Sequence, residues 1–141
     1  MTGSLSDYLV VSDMDNTLLT AQGGIPQVNR DVIRLFSARG GRFTVGTGRP
    51  VESVRAALNG LALSCPAICC GGSVIYDFSR EKCLERHALD RARTMEILRD
   101  VLTHFPQVGI EVQIRNGDLR IVRANACTQA HLRDEKLGCV L

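Results

Sequence analysis

Short, uninterrupted apolar runs alternate with helically spaced apolar positions through the first half of the chain. Tyr8-Leu9-Val10-Val11 carries no polar residue. That is the pattern of a central parallel strand buried on both faces. Polar residues follow at once, Ser12, Asp13, Asp15, Asn16 and Thr17, so the strand ends in a polar loop. Gly23-Gly24 and Pro26 lead into a helix over about 27–38, where Val28, Val32, Leu35 and Phe36 make one apolar stripe. Gly40-Gly41 stops it. A second strand over 42–45 runs into Gly46-Thr47-Gly48-Arg49-Pro50. A second helix, marked by Val51, Val54 and Leu58, closes at Gly60. Ala67-Ile68-Cys69-Cys70 reads as a third buried strand before Gly71-Gly72.

This order is β-α-β-α-β with short connections. Right-handed crossovers make the three strands parallel in one sheet, an α/β, Rossmann-like arrangement. Ligands of such sheets bind outside the carboxyl ends of the strands. Asp13, Asp15 and Thr47 fall in the loops at those ends.

The pattern changes after Gly72. Val74-Ile75-Tyr76 and Cys83-Leu84 flank the polar stretch Ser79-Arg80-Glu81-Lys82 and read as a hairpin. Asp90 is placed to cap a helix over 91–104, with Met95, Leu98, Val101 and Leu102 inward. Ile110 to Ile114 alternates like a half-buried strand, Asn116-Gly117 is a hairpin turn, and Leu119 to Val122 returns. A last helix is expected over 124–137. The expected division is therefore an α/β core over 1–88 and an α+β part with antiparallel strands over 89–141.

Composition narrows the function classes. At 45% hydrophobic residues, the 141-residue chain can bury a core. A formal net charge of +2 creates no field for nucleic acid or acidic membranes. The chain has no Trp and only 4% aromatics, too few for a base-stacking platform. No apolar run approaches bilayer length, and no basic region precedes a long apolar stretch at the start. Cysteines 65, 69, 70, 83, 127 and 139 form no C-x-x-C and no zinc spacing. Reduced, mostly buried cysteines in a cytoplasmic protein are the expectation. A dinucleotide site is disfavoured because no G-x-G-x-x-G follows the first strand.

The candidate chemistry lies in Asp13 and Asp15. A bare D-x-D at a strand end is commonly a turn whose side chains cap backbone N–H groups. Here the string is Asp13-Met14-Asp15-Asn16-Thr17-Leu18-Leu19 after an apolar strand, which is far more specific. One carboxylate is suited to attack phosphorus and the other to move the proton of the leaving oxygen and of water. Carboxylates and a phosphate repel one another, so a hard cation such as Mg²⁺ is required. Backbone N–H groups of Met14, Asp15 and Asn16 are candidates to cradle the phosphoryl oxygens. The Thr47 hydroxyl is a candidate donor to the same group, and Gly48 permits close backbone approach.

These motifs resemble the haloacid dehalogenase (HAD) superfamily of phosphatases, in particular its Cof-type branch acting largely on sugar phosphates and related metabolites. The first motif, D-x-D-x-T-L, matches through Asp13, Asp15, Thr17 and Leu18, with Asn16 in place of the commoner glycine. The second, a small hydroxyl residue ending the next strand, matches Thr47. Gly72-Ser73-Val74-Ile75-Tyr76-Asp77 is similar to the family's N-G-A-L-I-Y-D segment, with Gly71 where that pattern has Asn. The resemblance is close over roughly 7–90 and holds only by pattern beyond.

It implies that Asp13 is nucleophile and metal ligand. Asp15 would be general acid/base, with its carbonyl on the metal. Thr47 would bind the phosphoryl group, and Arg49 would order the loop or approach substrate. A surface arginine at a helix start is the equal alternative for Arg49. The implied cofactor is Mg²⁺ and the implied partner a small phosphorylated metabolite, with neither nucleic acid nor membrane. The second part corresponds to an incomplete α+β cap.

The family's third-motif lysine and fourth-motif acidic cluster have no match. Lys82 falls in the hairpin turn and Lys136 in the last helix, both read as solvated; Asn116-Gly117-Asp118 reads as a turn. Three functions remain open. The first is a Mg²⁺-dependent phosphatase acting through an aspartyl-phosphate. The second is a catalytically incomplete or non-enzymatic interaction module of the same fold. The third is a phosphotransferase or mutase using the same step.

Overall fold

A computed structural model describes residues 4–114, 119–135 and 139–140. The expected Asn116-Gly117 turn and Lys136 lie outside the described residues. The chain divides into two compact units, Met1–His87 and Ala88–Leu141.

In the first unit, β1 (Leu9–Ser12) and β2 (Arg42–Val45) pair in parallel, with Ser12 opposite Val45. Helix α1 (Gln27–Ala38) makes the crossover between them. It ends as its sequence dictates. Gly40, at φ +89°, donates its N–H to the Ser37 carbonyl, and Gly41 donates to the Phe36 carbonyl. This is a Schellman stop, which needs a residue free to adopt left-handed φ. Helix α2 (Val51–Leu58) follows Pro50 and ends at Asn59 and Gly60, both left-handed.

Strand β3 (Ala67–Cys69) joins β2 through a parallel bridge between Gly46 and Ile68. Strands β4 (Val74–Asp77) and β5 (Lys82–Arg86) then extend β3 as an antiparallel meander. The first three strands are parallel as expected, and the unit is an α/β sheet structure.

The core of this unit collects Met14, Val45, Val54, Ala67 and Cys69, all fully buried, with Ile33, Phe43, Leu58 and Leu61 around them. Val54 and Leu58 place α2 as its spacing implied. The structure corrects the sequence reading at three points. Leu9, Val10 and Val11 are exposed, so β1 is not a strand buried on both faces: among the described residues β2 is its only strand neighbour. The α1 stripe does not point inward as a whole. Val28, Val32 and Leu35 are exposed, whereas Ile33 is buried and Phe36 packs against the core. Cys70 lies past the end of β3, half-buried, at φ +53° in a turn with Gly71 and Gly72.

In the second unit, Asp90 accepts a hydrogen bond from the Arg93 N–H at 2.9 Å and caps α3 (Arg91–His104). Of the α3 residues expected inward, Leu98, Val101 and Leu102 are half-buried and Met95 is exposed. Strands β6 (Ile110–Gln113) and β7 (Leu119–Arg123) pair antiparallel. A short β8 (Cys139–Val140), which the sequence pattern did not reveal, pairs parallel to β7. Helix α4 (Ala126–Glu135) begins with a reciprocal cap: Asn125 Oδ1 accepts from the Thr128 N–H, and the Thr128 hydroxyl accepts from the Asn125 N–H. Among the described residues, no helix is long and apolar enough to cross a membrane.

Candidate active site

Two loops leave the carboxyl ends of the paired strands side by side. The Gly46 N–H donates to the Ser12 carbonyl at 2.9 Å, so Asp13 and Thr47 begin from adjacent positions on the sheet rim. A Cβ on Gly46 would stand 3.3 Å from Val11 Cγ1, which favours glycine where the two strands part.

The first loop is one wide helical turn over Met14–Leu18, closed by the Leu19 N–H on the Met14 carbonyl at 2.8 Å. Asp15 is extended within it and Asn16 sits at φ +57°. Asn adopts this left-handed conformation more readily than most residues, so Asn16 satisfies a position where glycine would also serve. Met14 is completely buried and anchors the turn, while Asp13, Asp15, Asn16 and Thr17 stay exposed. Alternation about Met14 thus sends both carboxylates to solvent at the rim. The Thr17 hydroxyl donates to Asp13 Oδ2 at 3.3 Å, giving the motif threonine a positioning role.

The second loop holds the first. The Arg49 guanidinium grips Asp15 through Nη2 to Oδ1 at 2.7 Å and Nε to Oδ2 at 3.0 Å. Its Nη1 donates to the buried Ser53 hydroxyl at 2.7 Å. Hydrogen bonding from Arg49 holds the Asp15 carboxyl below the usual carboxylate value; partial burial opposes this and the arginine's charge adds to it. Arg49 thus joins the second loop to the first through Asp15 and to α2 through Ser53.

Thr47 is buried, and its Oγ1 accepts from the Arg49 backbone N–H at 3.2 Å. The Thr47 N–H donates to the Ile68 carbonyl, and its carbonyl accepts from Gly71. These bonds tie the three strand-end loops together. A Cβ on Gly48 would meet nothing within 4 Å, and the same holds at Gly71, at φ +63°. Gly71 thus keeps the backbone shape an asparagine would give but lacks its side-chain amide. Lys82 opens β5, exposed and opposite Asp77.

Ser53 was missed from the sequence. Its signal was available, since it lies four residues after Arg49 at the start of a helix, where such side chains meet.

The Asp13 carboxylate and the Asp15 carbonyl are hard oxygen donors. Mg²⁺ characteristically takes one or two carboxylates, waters and substrate phosphate oxygens, so the donor set fits that ion. Among the described residues, no group of three or more His, Cys, Asp or Glu side chains forms a complete cage.

A haloacid dehalogenase-like hydrolase family model matches residues 10–135. Over 100 residues the chain is 25% identical to pyridoxal phosphate phosphatase YbhA of Escherichia coli K12, covering 71% of this chain and 37% of that protein. Among solved structures, a haloacid dehalogenase-like hydrolase from Bacteroides thetaiotaomicron superposes with a TM-score of 0.75 at 16% identity. It covers 94% of this chain and 50% of its own. A sugar phosphatase of HAD subclass IIB superposes with a TM-score of 0.76 at 15% identity, covering 94% and 51%. The chain spans about half the length of these solved relatives and less of the curated one. The two rim carboxylates, the threonine loop behind them and the family match over most of the chain agree: this protein belongs to the haloacid dehalogenase-like hydrolases.

Proposed function

We propose that this chain carries the nucleophile-bearing half of a Mg²⁺-dependent phosphatase of small phosphorylated metabolites. The observation that carries the reading is the arrangement of Asp13 and Asp15. Both flank one buried methionine at the rim of β1, and each is held by a separate partner, Thr17 for Asp13 and Arg49 for Asp15. An unprotonated Asp13 oxygen attacks phosphorus as the ester P–O bond breaks, and Asp15 in its carboxylic-acid form, the form that the Arg49 pair disfavours in the chain without substrate, delivers its proton to the departing oxygen. Water then attacks phosphorus of the aspartyl-phosphate, Asp15 takes its proton, and the Asp13 carboxylate and inorganic phosphate are released. A bound Mg²⁺ would neutralise charge on the phosphoryl oxygens. Met14, Asn16, Thr47 and Gly48 line the phosphoryl position in this reading, and Arg49 acts there through Asp15. The names of the relatives suggest pyridoxal phosphate and sugar phosphates as substrates.

A second reading, in which the chain alone is catalytically incomplete, is motivated by the family's third-motif lysine and fourth-motif acidic cluster having no match in this sequence. The test separates the two. Beryllium fluoride with Mg²⁺ mimics an aspartyl-phosphate, and its bound ¹⁹F resonances should appear with this chain and vanish in Asp13→Asn. Their absence with the unaltered chain would favour the second reading. Phosphate release from pyridoxal phosphate and a hexose phosphate then distinguishes an active chain from one that binds without turnover. Any turnover that persists undiminished in Asp13→Asn also sinks the assignment.

A further inference from the structure

We propose that Arg55 and Glu81 are positioning residues for the site: their ion pair clips α2 to the β4–β5 hairpin and thereby fixes the Arg49 side chain on Asp15. Arg55 Nη1 and Nη2 each donate to one oxygen of Glu81 at 2.6 Å. Nη2 also donates to the Tyr76 hydroxyl at 3.2 Å, which in turn donates to Glu81 Oε2 at 3.1 Å. The guanidinium lies 5.8 Å from the Tyr76 ring centre and 5.3 Å from that of Phe78, within cation–π range. Its Nε donates to Glu52 on the same helix.

The hairpin turn does not need Glu81. Asp77 Oδ1 accepts from the Ser79 and Arg80 N–H groups and closes the turn by itself. Glu81 stands at φ +52°, a left-handed conformation that disfavours a side chain and suits glycine. A glutamate held there is accounted for by its carboxylate, which Arg55 and Tyr76 engage fully.

Helix α2 has only eight residues, too few to be stable without tertiary support. Val54 and Leu58 seat it on the core, and at its far end Arg30 Nη1 donates to the Leu58 carbonyl at 2.9 Å. Ser53 and Arg55 are two residues apart, so they project roughly 200° apart around the helix axis. Ser53 meets Arg49 and Arg55 meets the hairpin. A rotation of α2 that breaks the Glu81 pair therefore also carries the Ser53 hydroxyl away from Arg49, whose other two donors hold Asp15. On the phosphatase reading, on which this consequence rests, the clip fixes where Asp15 stands before substrate binds.

The test uses the full 141-residue chain in metal-free buffer. It needs no turnover, so its failure is distinct from a failure of the phosphatase reading. The readout is hydrogen exchange of the Arg49 Nε–H, followed by ¹⁵N-resolved NMR. Glu81→Gly should speed it about five- to tenfold, the weight of one neutral hydrogen bond to the guanidinium. The urea midpoint should stay near wild type, because relief of the turn offsets the lost surface pair. Arg55→Met should speed the exchange likewise, and Glu81→Gln, which keeps an acceptor of the same length, should fall between. Arg80→Ala, in the same turn, should leave it unchanged. The proposal is overturned if Glu81→Gly leaves exchange at Arg49 unaltered, if the acceleration there only matches that of the backbone amides of the first unit, or if Arg80→Ala has the same effect.

Discussion

Breaking the Arg49–Asp15 pair should cost stability that depends on pH in one direction only. The guanidinium is well buried, at 12% side-chain exposure, while the carboxylate is 47% exposed. Bidentate geometry favours the pair, but solvent screening at the carboxylate keeps the coupling near that of good surface pairs, about 1 kcal/mol. Arg49→Met also removes the donor to the Ser53 hydroxyl, a neutral hydrogen bond worth roughly 1 kcal/mol. The single substitution should therefore cost about 2 kcal/mol, and the double-mutant cycle with Asp15→Asn should return about 1 kcal/mol.

The sign follows from Asp15, whose folded-state pKa lies below the ordinary 3.8 because of Arg49. Its contribution is fully present above the unfolded carboxyl value of about 3.9 and is lost as pH falls through the lower folded value. Urea unfolding followed by far-ultraviolet circular dichroism, in metal-free buffer at about pH 7 and about pH 3, measures the coupling at both ends. Each kcal/mol also moves the midpoint of a domain the size of the first unit by roughly 4–8 °C. A coupling near zero at neutral pH, or one that grows as pH falls, would refute the argument.

Two further outcomes follow from packing and burial. Gly41→Ala places a Cβ 2.4 Å from the Phe36 ring that covers the end of α1; the overpacking should cost about 1–3 kcal/mol, read as a lower urea midpoint. A wild-type midpoint would mean the ring swings away freely. Burial pushes the Cys69 thiol up to about 12, with Cys70 and Cys83 adding to the shift. In the native chain Cys69 should therefore resist iodoacetamide at mildly alkaline pH while exposed Cys127 alkylates, as peptide mass spectrometry will show; comparable labelling of both would contradict the buried assignment.

The parts of this protein that were legible in the sequence are those set by local rules. Gly40-Gly41 stops α1 by backbone conformation alone, Asp90 caps α3 through a side chain three residues from its donor, and Val54 and Leu58 follow from helical period. The association of Asp15 with Arg49 was only half legible. Both residues carried signals, but a contact across 34 positions depends on how two strand-end loops leave the sheet. Ser53 is the opposite case, since its spacing of four residues from Arg49 already pointed to the contact. Strand β8 lay below any pattern because two residues have no period to read.

The errors at β1 and α1 are of another kind, and they agree with each other. An apolar run reports the environment for which a strand is suited, namely burial on both faces, and a stripe on a helix does the same. Neither reports whether a neighbour is present. In this chain Leu9, Val10 and Val11 are bare, and so are Val28, Val32 and Leu35. In the first unit the mismatch between pattern and exposure is largest at one strand and the helix that follows it; in the second unit Met95, also expected inward, is exposed. β2 and β3, read from the same kind of run, are buried as expected at Phe43, Val45, Ala67 and Cys69. A wrong period would have misplaced every strand alike, so the period was read correctly, and what the sequence did not show is that β1 has one strand neighbour among the described residues. Asp13 leaves the sheet directly from that exposed strand, so its place on the rim is set by the pairing of β1 with β2 and by the buried Met14 beside it rather than by packing on the faces of the strand.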